Sequence, residues 1–161
     1  MKEKKITIFT DGSCLGNPGA GGWGAILLAD GASKPMAILR GHETETTNNR
    51  MEMIAVIEAL RYVHENELQQ ADLDLYSDSA LVINTLQHGW KRKKNLDLWE
   101  ELDQLNEELS VKYSWVKGHA KNKWNNECDK IAQMEALKAR KQTRPATKKT
   151  RSSALRQSSL F

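Results

Sequence analysis

Cysteine, long apolar runs and acidic residues near the C-terminus are what this 161-residue chain has little of. Its two cysteines, Cys14 and Cys128, stand in unlike contexts without metal-ligand spacing, so neither a disulfide framework nor a zinc site is indicated. Reduced thiols are expected. No apolar run approaches the roughly 20 residues of a membrane helix, and the opening MKEKKITIF lacks the apolar segment and cleavage site of a signal peptide. A cytoplasmic protein without membrane contact is therefore expected. Acid is missing from residues 138–161, which hold eight of the chain's 24 basic residues. Residues 1–137 carry the other 16 against 21 acidic residues, so an acidic body of net charge −5 precedes a +8 tail.

With 39% apolar and 28% charged residues, the body has the composition of one soluble domain with a real core. Ile6, Ile8 and Thr10 alternate with Thr7, Phe9 and Asp11, a strand pattern. GWGAILLA and KPMAILRG follow as strands joined by the turn DGAS. TETTNNR then offers capping residues to a helix whose apolar stripe is Met53, Val56, Ile57, Leu60 and Val63. LDLYSD reads as a strand, SALVINTLQHGW as a helix, and Leu98, Leu102, Leu105 and Leu109 as another helical stripe. VKYSWVKGH alternates as a strand, and Trp124, Cys128, Ile131 and Ala132 mark a last helix. The order βββαβααβα predicts an α/β fold, a mixed five-stranded sheet with helices packed on it. The body is expected to span 1–137. The tail 138–161, rich in Lys, Arg, Ser, Thr and Gln and interrupted by Pro145, reads as disordered, with a solvated helical extension as the alternative.

Gly19, Gly21 and Gly24 match the dinucleotide-binding letters G-x-G-x-x-G. That motif needs a helix opening on its third glycine, so that backbone amides face a pyrophosphate. Here the continuation is AILLA, a strand, and no G-x-x-x-x-G-K-[ST] occurs. The glycines are better read as shaping a hairpin, with Asn17-Pro18-Gly19 as turn chemistry and Gly21, Gly22 and Gly24 permitting a bulge or the close approach of another backbone.

Four carboxylates remain. Asp11 sits in a strand, where aspartate is depleted; Glu52 is expected in the first turn of its helix, where the helix dipole alone would favour it; Asp78 precedes a helix it could cap; Asp129 borders the apolar face of the last helix. Each has an ordinary structural account. Together they lie at the rim of one core, and carboxylates gathered at one place repel unless cations hold them. Oxygen ligands of this kind suit Mg²⁺ or Mn²⁺, and two such ions can drive in-line attack on a phosphodiester.

FTDGSCLGNPGAGGWGAIL, TTNNRMEM, YSDS and WVKGHAKNKWNNECDKIA closely resemble the successive motifs of bacterial type 1 ribonucleases H, in the same order, over residues 4–137. The resemblance implies the ribonuclease H-like fold and endonucleolytic hydrolysis of the RNA strand of RNA:DNA hybrids by a monomer, leaving 5′-phosphate and 3′-hydroxyl ends. It implies two Mg²⁺ ions, with Mn²⁺ as a substitute: Asp11 bridging them, Asp129 on the side of the attacking water, Glu52 and Asp78 on the leaving-group side. His119 matches a histidine that assists proton transfer or product release. Asn17, Asn48 and Asn49 match amides that read the hybrid's minor groove, and Thr47 with Arg50 matches a DNA-phosphate pocket.

Two departures stand out. Ala80 occupies a place where many relatives carry a groove-reading glutamine. The family's long basic handle is reduced to GWKRKKNLDLW, in which Trp90, Lys91, Arg92, Lys93 and Lys94 form a small basic and aromatic patch. Weaker hybrid binding by the body is expected, with the basic tail adding salt-dependent affinity. The final QSSLF resembles the Q-x-x-L-F peptide that docks on the bacterial sliding clamp, with Gln157 hydrogen-bonding and Leu160 and Phe161 filling an apolar pocket. Two competing readings are a non-catalytic hybrid-binding or clamp-associated adaptor on the same fold, and a nuclease on this fold that cuts double-stranded RNA.

Overall fold

A computed structural model describes residues 4–116 and 122–142. His119 and the peptide ending in Gln157, Leu160 and Phe161 lie outside the described residues. The order is β1 (Lys5–Leu15), β2 (Gly19–Ala29), β3 (Ala37–Thr46), α1 (Asn48–Glu65), β4 (Asp72–Ser77), α2 (Ala80–His88), α3 (Leu96–Glu108), β5 (Ser110–Trp115) and α4 (Lys123–Gln142). The strands form one sheet in the order β3-β2-β1-β4-β5. β1, β2 and β3 pair antiparallel, whereas β4 and β5 join β1 through parallel ladders. The expected α/β arrangement is thus observed, with β1 at the centre.

Several boundaries differ from the sequence pattern. β3 begins at Ala37 and runs to Thr46, through polar residues that read as helix-capping chemistry. Pairing with the glycine-rich half of β2 keeps them in the ladder, and Thr47 alone caps α1, its hydroxyl accepting from the Arg50 amide at 3.2 Å. α1 buries more than one stripe, because α3 covers its outer side with Leu98, Trp99 and Leu102 while the sheet covers the other. Two glutamates, Glu52 and Glu58, are consequently buried on it. α4 continues past residue 137 to Gln142, since Ala136 and Ala139 extend its buried face by one more turn.

The helices enclose the sheet from both sides. α1, backed by α3, packs in one core with Ile6, Ile8, Trp23, Leu27 and Leu75; α4 covers Phe9, Ile26 and Leu28 with Cys128 and Ile131. The glycines of β2 make the second layer possible. A Cβ on Gly22 would stand 2.4 Å from both the Ala132 carbonyl oxygen and the Ala136 amide nitrogen, so the approaching backbone is that of α4. Buried Glu135 then pins α4 to β3 by accepting from Arg40 Nε at 2.7 Å and pairing with His42 Nδ1 at 2.9 Å. Gly22→Ala will therefore destabilise the protein by about 2–3 kcal/mol, the cost of forcing volume into a packed contact. An unchanged urea midpoint would show that α4 has no need of that gap.

Candidate active site

β1 outruns its parallel partner. The last pair of the β1–β4 ladder is Thr10 with Ser77, so Asp11 and Asp78 follow at the point where β4 gives way to α2. The turn carrying Asp78 is fixed on three sides. Ser77 Oγ accepts from the Ser79 amide at 3.1 Å, Ser79 Oγ accepts from the Val82 amide at 3.2 Å as the α2 cap, and the indole Nε1 of Trp115 donates to the Asp78 carbonyl at 3.1 Å.

Glu52 arrives from α1. No acid stands in the first turn of that helix; Glu52 lies one turn further in and is buried, so a helix-dipole role does not account for it. Gly12 allows the approach, because a Cβ there would lie 2.5 Å from the Glu52 amide nitrogen and 2.6 Å from the Met51 carbonyl carbon. One carboxylate oxygen from each of Asp11, Glu52 and Asp78 then falls within 4.8 Å of the other two.

Such crowding is electrostatically unfavourable for the protein alone. Burial, then the charges of Asp78 and Asp129, push the Asp11 carboxyl up to about 8, although the Gly12 amide donates to it at 2.8 Å. Burial raises Glu52 well above the usual carboxylate range, with Asp11 and Asp78 adding to the effect. Asp78 is also raised, chiefly by burial. One Glu52 oxygen is buried without a hydrogen-bond partner. Hard oxygen donors, mutual repulsion and an orphaned acceptor together fit a divalent cation such as Mg²⁺.

Asp129, one residue beyond the fully buried Cys128 on α4, is exposed and accepts from Gln133 Nε2 at 3.0 Å. It stands beside the cluster, close enough to act on Asp11, while the tight group among the described residues comprises the other three.

The expected substrate contacts gather around the N-terminus of α1. Asn17 Oδ1 accepts from the Asn48 amide at 3.0 Å, tying the hairpin tip to that helix. Asn48 and Asn49 are exposed. Thr47 is occupied by its cap, and Arg50 donates to Asn95 Oδ1 at 3.1 Å and to both Asp97 oxygens at 3.2 and 3.0 Å. Trp90, Lys91, Lys93 and Lys94 are exposed beside a cavity of about 210 Å³ whose lining includes Asn49, Met53, Leu81 and Trp99. Arg92 is half-buried and lines the same cavity, its guanidinium over the Trp99 ring.

Sequence reasoning missed Gly12, Trp115, Asn95 and Asp97. The adjacency of Gly12 to Asp11 was a visible signal, since a glycine within a strand marks a close approach. The indole and the Arg50 partners carry no local signature, because their roles depend on residues 37 to 47 positions away.

The ribonuclease H family profile matches residues 3–137. The chain is 44% identical over 149 residues to a ribonuclease H of Acetivibrio thermocellus, an alignment covering 84% of this chain and 97% of the relative. A ribonuclease H of Chlorobium phaeovibrioides is 40% identical, with 84% and 98% covered. Among solved structures, the N-terminal RNase H domain of a Mycobacterium tuberculosis protein superposes with a TM-score of 0.77 at 25% identity, covering 86% of this chain and 98% of that one. With these matches spanning the sheet, its helices and all four carboxylates, the chain belongs to the ribonuclease H family.

Proposed function

We propose that this protein is a metal-dependent endonuclease that hydrolyses the RNA strand of RNA:DNA hybrids, leaving 5′-phosphate and 3′-hydroxyl ends. The observation that carries the reading is the convergence of Asp11, Glu52 and Asp78 within 4.8 Å on a partly buried floor. A module that only bound hybrid would gain nothing from carboxylates that repel phosphate, so the cluster favours catalysis over an adaptor role. Asp11 would be shared between two Mg²⁺ ions, with Asp129 on one side and Glu52 and Asp78 on the other. Bound there, the ions would supply an activated water and charge stabilisation at the leaving oxygen.

The chain's own residues do the rest. Gly12 and the Trp115 indole hold two of the carboxylates in register; Asn17, Asn48 and Asn49 face the minor groove, where 2′-hydroxyls distinguish RNA from DNA. The exposed lysines of 91–94 meet the phosphates of the DNA strand, a contact that fixes position without reading sequence.

One assay tests the proposal: labelled hybrid, single-stranded RNA, duplex RNA and duplex DNA, each with Mg²⁺, Mn²⁺ or a chelator. Cleavage confined to the RNA of the hybrid, lost with chelator, is expected. Hybrid binding without cleavage, or cleavage of duplex RNA at a comparable rate, would overturn it.

A further inference from the structure

Lys91, Arg92, Lys93 and Lys94 are four adjacent cations in a segment with no helix or strand of its own. Repulsion among them favours a splayed, mobile loop, which would lose ordering entropy each time it gripped a phosphate. The structure contains two devices against this. At the near end, the Arg92 guanidinium lies 4.6 Å from the centre of the buried Trp99 ring and pairs with Asp103 of α3. At the far end, Asn95 takes a left-handed backbone conformation, φ 58°, and its side chain is held by Arg50 of α1. Arg50 also grips Asp97 in the first turn of α3. Lys93 and Lys94 between the two anchors, and Lys91 just before the first, are exposed and make no ion pair among the described residues.

We infer that Arg92 is a positioning residue and not a phosphate ligand: stacked on Trp99 and paired with Asp103, it holds the loop so that Lys91, Lys93 and Lys94 form a preorganised phosphate-binding platform. This deepens the proposed function by dividing the basic patch into one strut and three contacts. The division follows from geometry. The Arg92 guanidinium has one face laid on a buried indole and its Nη1 engaged by a carboxylate of the neighbouring helix, so its direction is set by the protein. The three lysines, as flexible point charges without such partners among the described residues, can turn to a phosphate. Preorganisation then lowers the cost of binding without adding a contact.

The sign of one substitution separates the two roles. Asp103→Asn removes a negative charge near the basic patch. If Arg92 bound phosphate itself, freeing it would tighten hybrid binding and lower KM. If Arg92 is the strut, the same change releases the loop: KM for hybrid rises about three- to tenfold, the range carried jointly by an exposed ion pair and a cation–π contact, while kcat, set at the carboxylates, holds. Arg92→Lys, which keeps the charge and loses the flat stacking surface, should raise KM similarly. Lys93→Ala should instead lower the slope of log affinity against log salt by about one, as loss of a phosphate contact does.

Hydrogen exchange of the amides of 90–95 gives a readout independent of substrate. Faster exchange in Asp103→Asn and Arg92→Lys, but not in Lys93→Ala, is expected. A lowered KM in Asp103→Asn, or unchanged exchange in both strut variants, would overturn the inference. Failure of wild-type protein to cleave hybrid alongside the expected exchange pattern would count against the proposed function and leave the strut standing.

Discussion

Asp11→Asn will lower hybrid cleavage by at least about 10³-fold, yet raise the thermal midpoint of the metal-free protein at pH 8. The two effects share one cause. Asp11 is one of the three clustered carboxylates, and under the proposed function its replacement removes a ligand from ions that would stabilise the transition state by several kcal/mol, each 1.4 kcal/mol being about tenfold in rate. In the absence of metal the same carboxylate is a liability, because burial and the charges of Asp78 and Asp129 oppose its ionisation. Asparagine is close in size and uncharged, so repulsion is relieved while packing is kept. A gain on the order of 1–2 kcal/mol would correspond to about 2–8 °C for a domain of this size. Activity and stability measured on the same preparation decide the matter. An active variant would remove Asp11 from catalysis; an inactive variant with a lowered midpoint would mean that the loss came from disrupted folding.

Metal-free protein should lose stability as pH rises from about 4 to 8, and Mg²⁺ should restore it most at the alkaline end. The sign follows from the direction of the shift. An aspartate that titrates near 4 in the unfolded chain and at about 8 in the folded one leaves the folded state holding more protons between those limits, so the free energy of unfolding falls with increasing pH across that window. Glu52 and Asp78, shifted in the same direction, add to the slope. A divalent cation must displace those protons. At pH 5 it competes poorly, and at pH 8 it relieves the repulsion; at a concentration about 100 times its dissociation constant it contributes about 2.7 kcal/mol. Thermal midpoints at pH 5, 6.5 and 8, with chelator and with Mg²⁺, test this, and Asp11→Asn should flatten both trends. A metal-induced shift equal at all three pH values would contradict the view that the cluster is protonated when empty of cations.

Both predictions rest on a site whose parts are visible in the sequence but whose assembly is not. Asp11 was conspicuous because a strand is a poor place for aspartate, and it became meaningful only when Gly12 let α1 against β1 and brought Glu52 beside it. Glu52 shows the converse: its sequence context suggested a dipole-capping acid, and the extra turn separating it from the helix start removes that account. Arg92 and Lys93 are indistinguishable as neighbours in a basic run. Trp99 and Asp103, on the next helix, separate them.

The order of elements and their alternation were determined by the sequence itself, because period-2 and period-3.6 patterns and capping residues are local signals; the four carboxylates were visible there too, but each kept an ordinary structural account. What only the tertiary structure decided was proximity. Close packing of α1 over Gly12 and α4 over Gly22, the parallel register that sets Asp11 next to Asp78, and the indole that fixes Asp78 from β5 all depend on contacts between distant segments. The free energy of those contacts comes from burial across the whole sheet, which no short stretch of the chain encodes.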